Sequence, residues 1–161
     1  MKKIDGGVTA AKGFQAAGCA AGIKKEGTMD MAMIFSEVPC HAAGTFTTNV
    51  VKAAPVKWDQ EIVYHQDGAR VVVCNSGIAN ACTGAEGMGY CKETAAAASE
   101  MLKVPETAVL VASTGVIGQQ LPIDRIKGGI AKLALMLEDS PEAGAMAARA
   151  IMTTDTHSKE T

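Results

Sequence analysis

Met29, Met31, Met33 and Phe35 lie two residues apart and share one face of an extended segment, so this stretch predicts a strand with methionine in the core. After the break at Pro39, residues 42–49 are rich in β-branched side chains and predict a second strand, paired with the first as a hairpin. Upstream, residues 6–22 are rich in Gly and Ala without helical or strict strand periodicity, and read as extended backbone at a layer edge. Residues 55–64 mix apolar and charged positions. The turn Gln66-Asp-Gly68 then precedes the apolar run Ala69-Arg-Val-Val-Val-Cys74, a central strand. It leads into a long loop of small polar residues, 75–84, and a helix whose stripe is Met88, Cys91, Ala95, Ala98 and Leu102. The order repeats at once. Val109-Leu-Val predicts a buried strand, Ser113-Thr-Gly115 a tight turn, and Ile126, Ile130, Leu133 and Leu137 a helical stripe weakened by Gly128-Gly129. Ser140-Pro141-Glu142 is a helix start, with a capping hydroxyl, proline in the first turn and an acid near the positive end. That helix ends near Ile151 and delivers the hydroxyl cluster Met152-Thr-Thr-Asp-Thr156.

Two successive strand–loop–helix units place their loops where ligands bind in layered α/β proteins. A Ser-Thr-Gly turn can aim a hydroxyl and a backbone N–H in one direction, since Gly115 has no Cβ to shield the main chain. Donors fixed in this way stabilise an oxyanion; the plainer reading is a turn with a satisfied threonine hydroxyl.

Composition narrows the classes. The 161 residues are 48% hydrophobic and 20% charged with a net charge of -2, so no basic stripe asks for nucleic acid or an anionic membrane. Aromatics are only 4%, which predicts layers in close backbone contact. No apolar run reaches the roughly 18 residues of a membrane span, and Met1-Lys-Lys-Ile-Asp lacks the apolar stretch of a secretion signal, so a cytoplasmic location is expected. The five cysteines form no C-x-x-C pair and are expected as buried reduced thiols; the three histidines are too dispersed for a metal site. There is no P-loop and no G-x-S-x-G, and Gly84-Ala-Glu-Gly-Met-Gly89 has the wrong spacing for a dinucleotide fingerprint. Oxyanion equipment without a nucleophile and base implies that part of the machinery lies elsewhere.

Taken together, Asn75-Ser-Gly-Ile-Ala-Asn-Ala-Cys-Thr-Gly84, Val111-Ala-Ser-Thr-Gly-Val-Ile-Gly118 and Ala150-Ile-Met-Thr-Thr-Asp-Thr156 resemble three successive motifs of the ornithine acetyltransferase family, also called bifunctional glutamate N-acetyltransferase. Gly6-Gly-Val-Thr-Ala-Ala-Lys-Gly-Phe14 and Phe46-Thr-Thr-Asn-Val-Val-Lys-Ala-Ala-Pro55 resemble it as well. The resemblance implies an α/β fold, a layered α-β-β-α sandwich completed by a β chain. It implies a precursor that cuts itself once, with this chain, residues 1–161, most of the α side and its C-terminus incomplete. The β chain then begins with a nucleophilic threonine. The implied reaction moves acetyl from N-acetylornithine to glutamate through an acetyl-threonine, with no cofactor and with acetyl-CoA as a further donor in some members. Thr114 and Gly115 match the family's oxyanion pair, and Thr153, with Thr154 as the competing choice, its substrate-binding threonine. An α2β2 heterotetramer handling small amino-acid substrates is implied.

Two departures stand out. Ile78 replaces an asparagine of the family pattern, and the chain ends before the family's substrate lysine and cleavage junction, so this polypeptide alone is expected to be inactive and Thr161 is not the nucleophile. The alternatives are a self-processing aminopeptidase or amidase, with water as acceptor, and a non-catalytic amino-acid-binding domain.

Overall fold

The computed structural model describes residues 6–160, so Met1-Lys-Lys-Ile-Asp and Thr161 lie outside the described residues. Four strands form one sheet in the order β1 (Phe14–Cys19), β2 (Met31–Cys40), β3 (Ala69–Ile78) and β4 (Val109–Val116). The first two pairings are antiparallel, and β3 and β4 run parallel. Helix α1 (Ala54–His65) precedes β3, α2 (Glu86–Leu102) is the crossover to β4, and α3 (Ile123–Leu135) and α4 (Pro141–Ala150) follow.

The fold is mixed α/β, and its two strand–loop–helix units are β3–α2 and β4–α3. Alternation along the strands sorts side chains between two cores. Met31, Met33, Val71, Val73, Val109 and Val111 point to one face and pack with Cys91, Ala95 and Ala98 of α2 and Ile126, Ile130 and Leu133 of α3. On the opposite face Ala16 and Ala32 meet Ala143, Ala147 and Ala150 of α4. Small residues make this second contact close, since a Cβ on Gly18 would lie 2.4 Å from the carbonyl oxygen of Met146. As the sequence predicts, Ser140 caps α4, its hydroxyl accepting the Ala143 N–H at 3.2 Å.

Three expectations are corrected. The hairpin partner of the methionine strand is β1, and residues 41–49 form no strand. There the side chains take over the backbone: the Thr47 hydroxyl accepts the Asn49 N–H at 3.2 Å and Asn49 Oδ1 accepts the Val51 N–H at 3.0 Å, which holds local turns in place of a ladder. Met29 lies before β2 and packs on the α4 side, away from Met31 and Met33. Finally, Ser113-Thr114-Gly115 is no turn, because β4 continues through it to Val116.

That continuation shapes the molecule. β3 likewise runs past Cys74 through Asn75, Ser76 and Gly77 to Ile78, so the polar ends of both strands stay paired, Ser76 with Thr114 and Gly77 with Gly115. Gly77 has φ 109° and Gly115 φ 132°, and a Cβ on Gly115 would come within 2.3 Å of the Gly77 carbonyl. Only glycine allows this approach.

Candidate functional site

Among the described residues no strand lies beside the outer edge of β4. Helix α1, which the residue pattern left without an element, covers part of it. The Trp58 indole N–H donates to the Val109 carbonyl at 2.9 Å, and Asp59 Oδ1 accepts the Val111 N–H at 2.9 Å. Burial pushes the Asp59 carboxyl up to about 6, against the opposing pull of the Val111 hydrogen bond. Side-chain guarding thus reaches Val111. Since Val116 accepts from Ala79 on the β3 side, strand alternation turns the Gly115 N–H the other way, to the edge that Val109 and Val111 share. Thr114 is exposed on the sheet face that carries α4, which covers β1 and β2. The Thr114 hydroxyl and the Gly115 N–H therefore both lie at the C-terminal end of β4, one on a sheet face and the other at the open edge.

Beneath this strand end the polar side chains are satisfied. The Ser113 hydroxyl donates to Asn75 Oδ1, and the Asn75 amide donates to the Ile78 carbonyl at 2.8 Å. In the following loop Asn80 donates to the Gly87 carbonyl at 2.9 Å and accepts the Thr83 hydroxyl at 2.7 Å. Such a network fixes the strand ends from below. Ile78, where the family pattern has asparagine, packs its side chain against the core.

Thr153 and Thr154 follow α4 and are both exposed. Two contacts tie their segment to the strand ends. The hydroxyl of Ser76, cross-strand neighbour of Thr114, donates to the Ala150 carbonyl at the end of α4, and the ammonium of Lys24 donates to the Met152 carbonyl. The four residues singled out from the sequence thus occupy two short segments, each fastened to the C-terminal end of β3.

Sequence reasoning missed Asp30 and Lys24. Asp30 is fully buried, and its carboxylate accepts the backbone N–H groups of Ala21, Ile23 and Lys24 at 2.7, 2.6 and 2.9 Å. The usable signal was an acid just before an apolar strand, following a glycine-containing loop that needs its N–H groups satisfied. All five cysteines are free, but only Cys19 and Cys91 are buried as expected; Cys40 and Cys74 are half-buried and Cys82 is exposed. Among the described residues no His, Cys, Asp or Glu cluster could hold a metal ion, and no helix is long and apolar enough to cross a membrane.

Fold and site define a layered α/β protein whose paired strand ends leave the Thr114 hydroxyl exposed and turn the Gly115 N–H to the open edge. The ArgJ family model matches residues 15–161, and the chain belongs to the ArgJ family. It is 51% identical to the arginine biosynthesis bifunctional protein ArgJ of Symbiobacterium thermophilum, covering 99% of this chain and 40% of that protein. With the ArgJ of Thermotoga neapolitana it shares 48% identity over 92% of this chain and 38% of the relative. The chain thus spans about two fifths of the curated relatives it matches. Among crystal structures, ornithine acetyltransferase complexed with ornithine from Mycobacterium tuberculosis superposes with a TM-score of 0.89 at 46% identity, over 93% of this chain and 80% of that one. ArgJ from Bacillus halodurans does so with a TM-score of 0.88 at 42% identity, over 94% and 78%.

Proposed function

We propose that this chain is the α-chain part of a self-processed acetyltransferase that moves an acetyl group from N-acetylornithine to glutamate, with acetyl-CoA as a further donor. The nucleophile is a threonine at the start of a β chain from the same precursor. Its hydroxyl attacks the acetyl carbonyl; the C–N bond breaks and ornithine leaves with the proton. The glutamate amine then attacks the acetyl-threonine ester, the C–O bond breaks, and N-acetylglutamate departs as the threonine hydroxyl is restored. Each half-reaction passes through a tetrahedral oxyanion. The Thr114 hydroxyl and the Gly115 N–H receive that charge, and Thr153, with Thr154 beside it, binds the substrate.

The observation that carries this reading is the C-terminal end of β4, where a hydroxyl and an edge-facing N–H stand on a ladder already fixed by its glycine pair. Preorganised donors of this kind need no rearrangement as charge develops. Lengths support the cut precursor. The aligned stretch fills 40% of the Symbiobacterium protein but 78% of the crystallised Bacillus chain, so the crystallised chain is about half as long. A partner layer is supported by the exposed Ala112 and Thr114 on the outer face of β4 and by an open, mainly apolar groove of about 330 Å³ along Ala32, Ile34, Cys74, Ala147 and Ile151. A β-chain sheet laid on this face gives the two-sheet sandwich, and two such pairs an α2β2 tetramer in the cytoplasm.

Two measurements on the full-length protein test this. Its denaturing mass is expected to show two fragments, the second beginning with threonine, and transfer from N-acetylornithine to labelled glutamate is expected to be measurable. Thr114→Ala is expected to lower kcat about 100- to 1,000-fold, with a smaller change in KM. An uncut chain that binds amino acids reversibly points to a binding domain instead, and acetate release without glutamate to an amidase. Unchanged kcat in a folded Thr114→Ala protein removes Thr114 from the mechanism.

A further inference from the structure

Thr153 and Thr154 stand on an exposed stretch after the last helix, where a substrate-binding side chain needs a fixed support. We infer that Lys24 is that support, a positioning residue that fastens residues 152–154 to the paired glycine step of β3 and β4. The inference rests on the substrate-binding role given above to Thr153.

Three observations carry it. First, the Lys24 stem lies across Gly77, where an added Cβ would approach Lys24 Cγ to 2.9 Å, and Gly77 is the register partner of Gly115. Second, the ammonium at the end of that stem donates to the carbonyl of Met152, adjoining Thr153, and to the carbonyl of Met29 at 3.3 Å. Third, Lys24 is itself held. Its N–H and that of Ile23 both end on Oδ2 of the buried Asp30 carboxylate, and the Ser76 N–H donates to the Asp30 carbonyl at 2.8 Å, which ties the loop to the same strand. A single side chain thus spans from the step beside the oxyanion donors to the segment that carries the substrate threonine. Burial lowers the Lys24 pKa and the Asp30 charge opposes this. A charged donor to main-chain carbonyls is worth more than a neutral one.

The test uses the full-length protein and compares Lys24→Met with Lys24→Arg. Hydrogen exchange of residues 152–156 is expected to speed up about tenfold or more in Lys24→Met while β1 and β4 stay protected, and to remain near wild type in Lys24→Arg. In kinetics, Lys24→Met is expected to raise the KM for N-acetylornithine about tenfold with kcat changed less than threefold. In the Lys24→Met background Thr153→Ala is expected to add little, because Lys24 acts through that segment. Unchanged exchange at 152–156, or a KM effect that simply multiplies with that of Thr153→Ala, overturns the inference. If Lys24→Met does not fold, Lys24→Gln, with a shorter polar end, takes its place under the same expectations. A wild-type protein without acetyl transfer sinks the acetyltransferase reading, whereas the exchange result still decides whether Lys24 holds the segment.

Discussion

The two halves of the β3–β4 pair use one ladder for different ends. Residues 71–73 and 109–111 send valines into the core under α2 and α3, and their open edge is guarded by Trp58 and Asp59. Residues 75–78 and 113–116 keep the same parallel pairing but carry Asn, Ser, Thr and two positive-φ glycines, and Thr114, Gly115 and Val116 are exposed. Pairing alone does not make a core. Side-chain burial does, and along β4 it stops at Val111 while the pairing with β3 continues to Val116.

The sharpest way to break this contrast is Gly115→Ala. An added methyl meets the Gly77 carbonyl at 2.3 Å, so the strand ends must separate. Acetyl transfer by the full-length protein is expected to fall at least about 100-fold, the scale of losing one oxyanion donor, while amide exchange at residues 71–73 stays slow. Exchange that speeds up equally in both halves would show that the two are one unit.

Met33→Ala probes the other half. Met33 is fully buried and pairs with Val73, so the change is expected to cost about 2–5 kcal/mol, read as a lower denaturation midpoint, with transfer per folded molecule unchanged. Asp59→Asn should act least and with the opposite sign. Because burial lifts the Asp59 carboxyl from 3.8 to about 6, the folded state binds this proton more tightly than the unfolded chain does. Its stabilising contribution is complete below about pH 3.8 and is lost as pH rises through about 6. Asparagine keeps an acceptor for the Val111 N–H without the charge, so the variant is expected to melt above wild type at pH 7.5 and close to it at pH 4. A pH-independent difference would mean that charge is not what Asp59 costs the fold.

Much of the fold was legible in the residue pattern. Long stripes named α2 and α3, the Ser140 cap fixed the start of α4, and alternation found the first half of β2, Met31 to Phe35. Where local chemistry competes with the ladder, the pattern misled: the Thr47 and Asn49 side chains bind nearby backbone and cancel the β propensity of residues 42–49. The opposite error occurred at Ser113-Thr114-Gly115, whose composition is that of a turn but whose glycine is answered by another across the ladder. Helix α1 escaped because few of its residues are buried, and its tie to the sheet runs through the polar atoms of Trp58 and Asp59. Thr114 and Gly115 were legible from residue chemistry and then from motif likeness, Thr153 and Thr154 from motif likeness, but the part of Asp30 and Lys24 was not legible. A buried carboxylate that collects three backbone donors has no period to detect.

The contact between α4 and the sheet has one more consequence. Ala16, Gly18, Ala32, Ala143, Ala147 and Ala150 have no side-chain torsions to adjust, so a displaced helix cannot be accommodated by rotamer changes as a leucine interface could. The helix seats at one depth, and the alanines set where its last carbonyl, that of Ala150, meets the Ser76 hydroxyl.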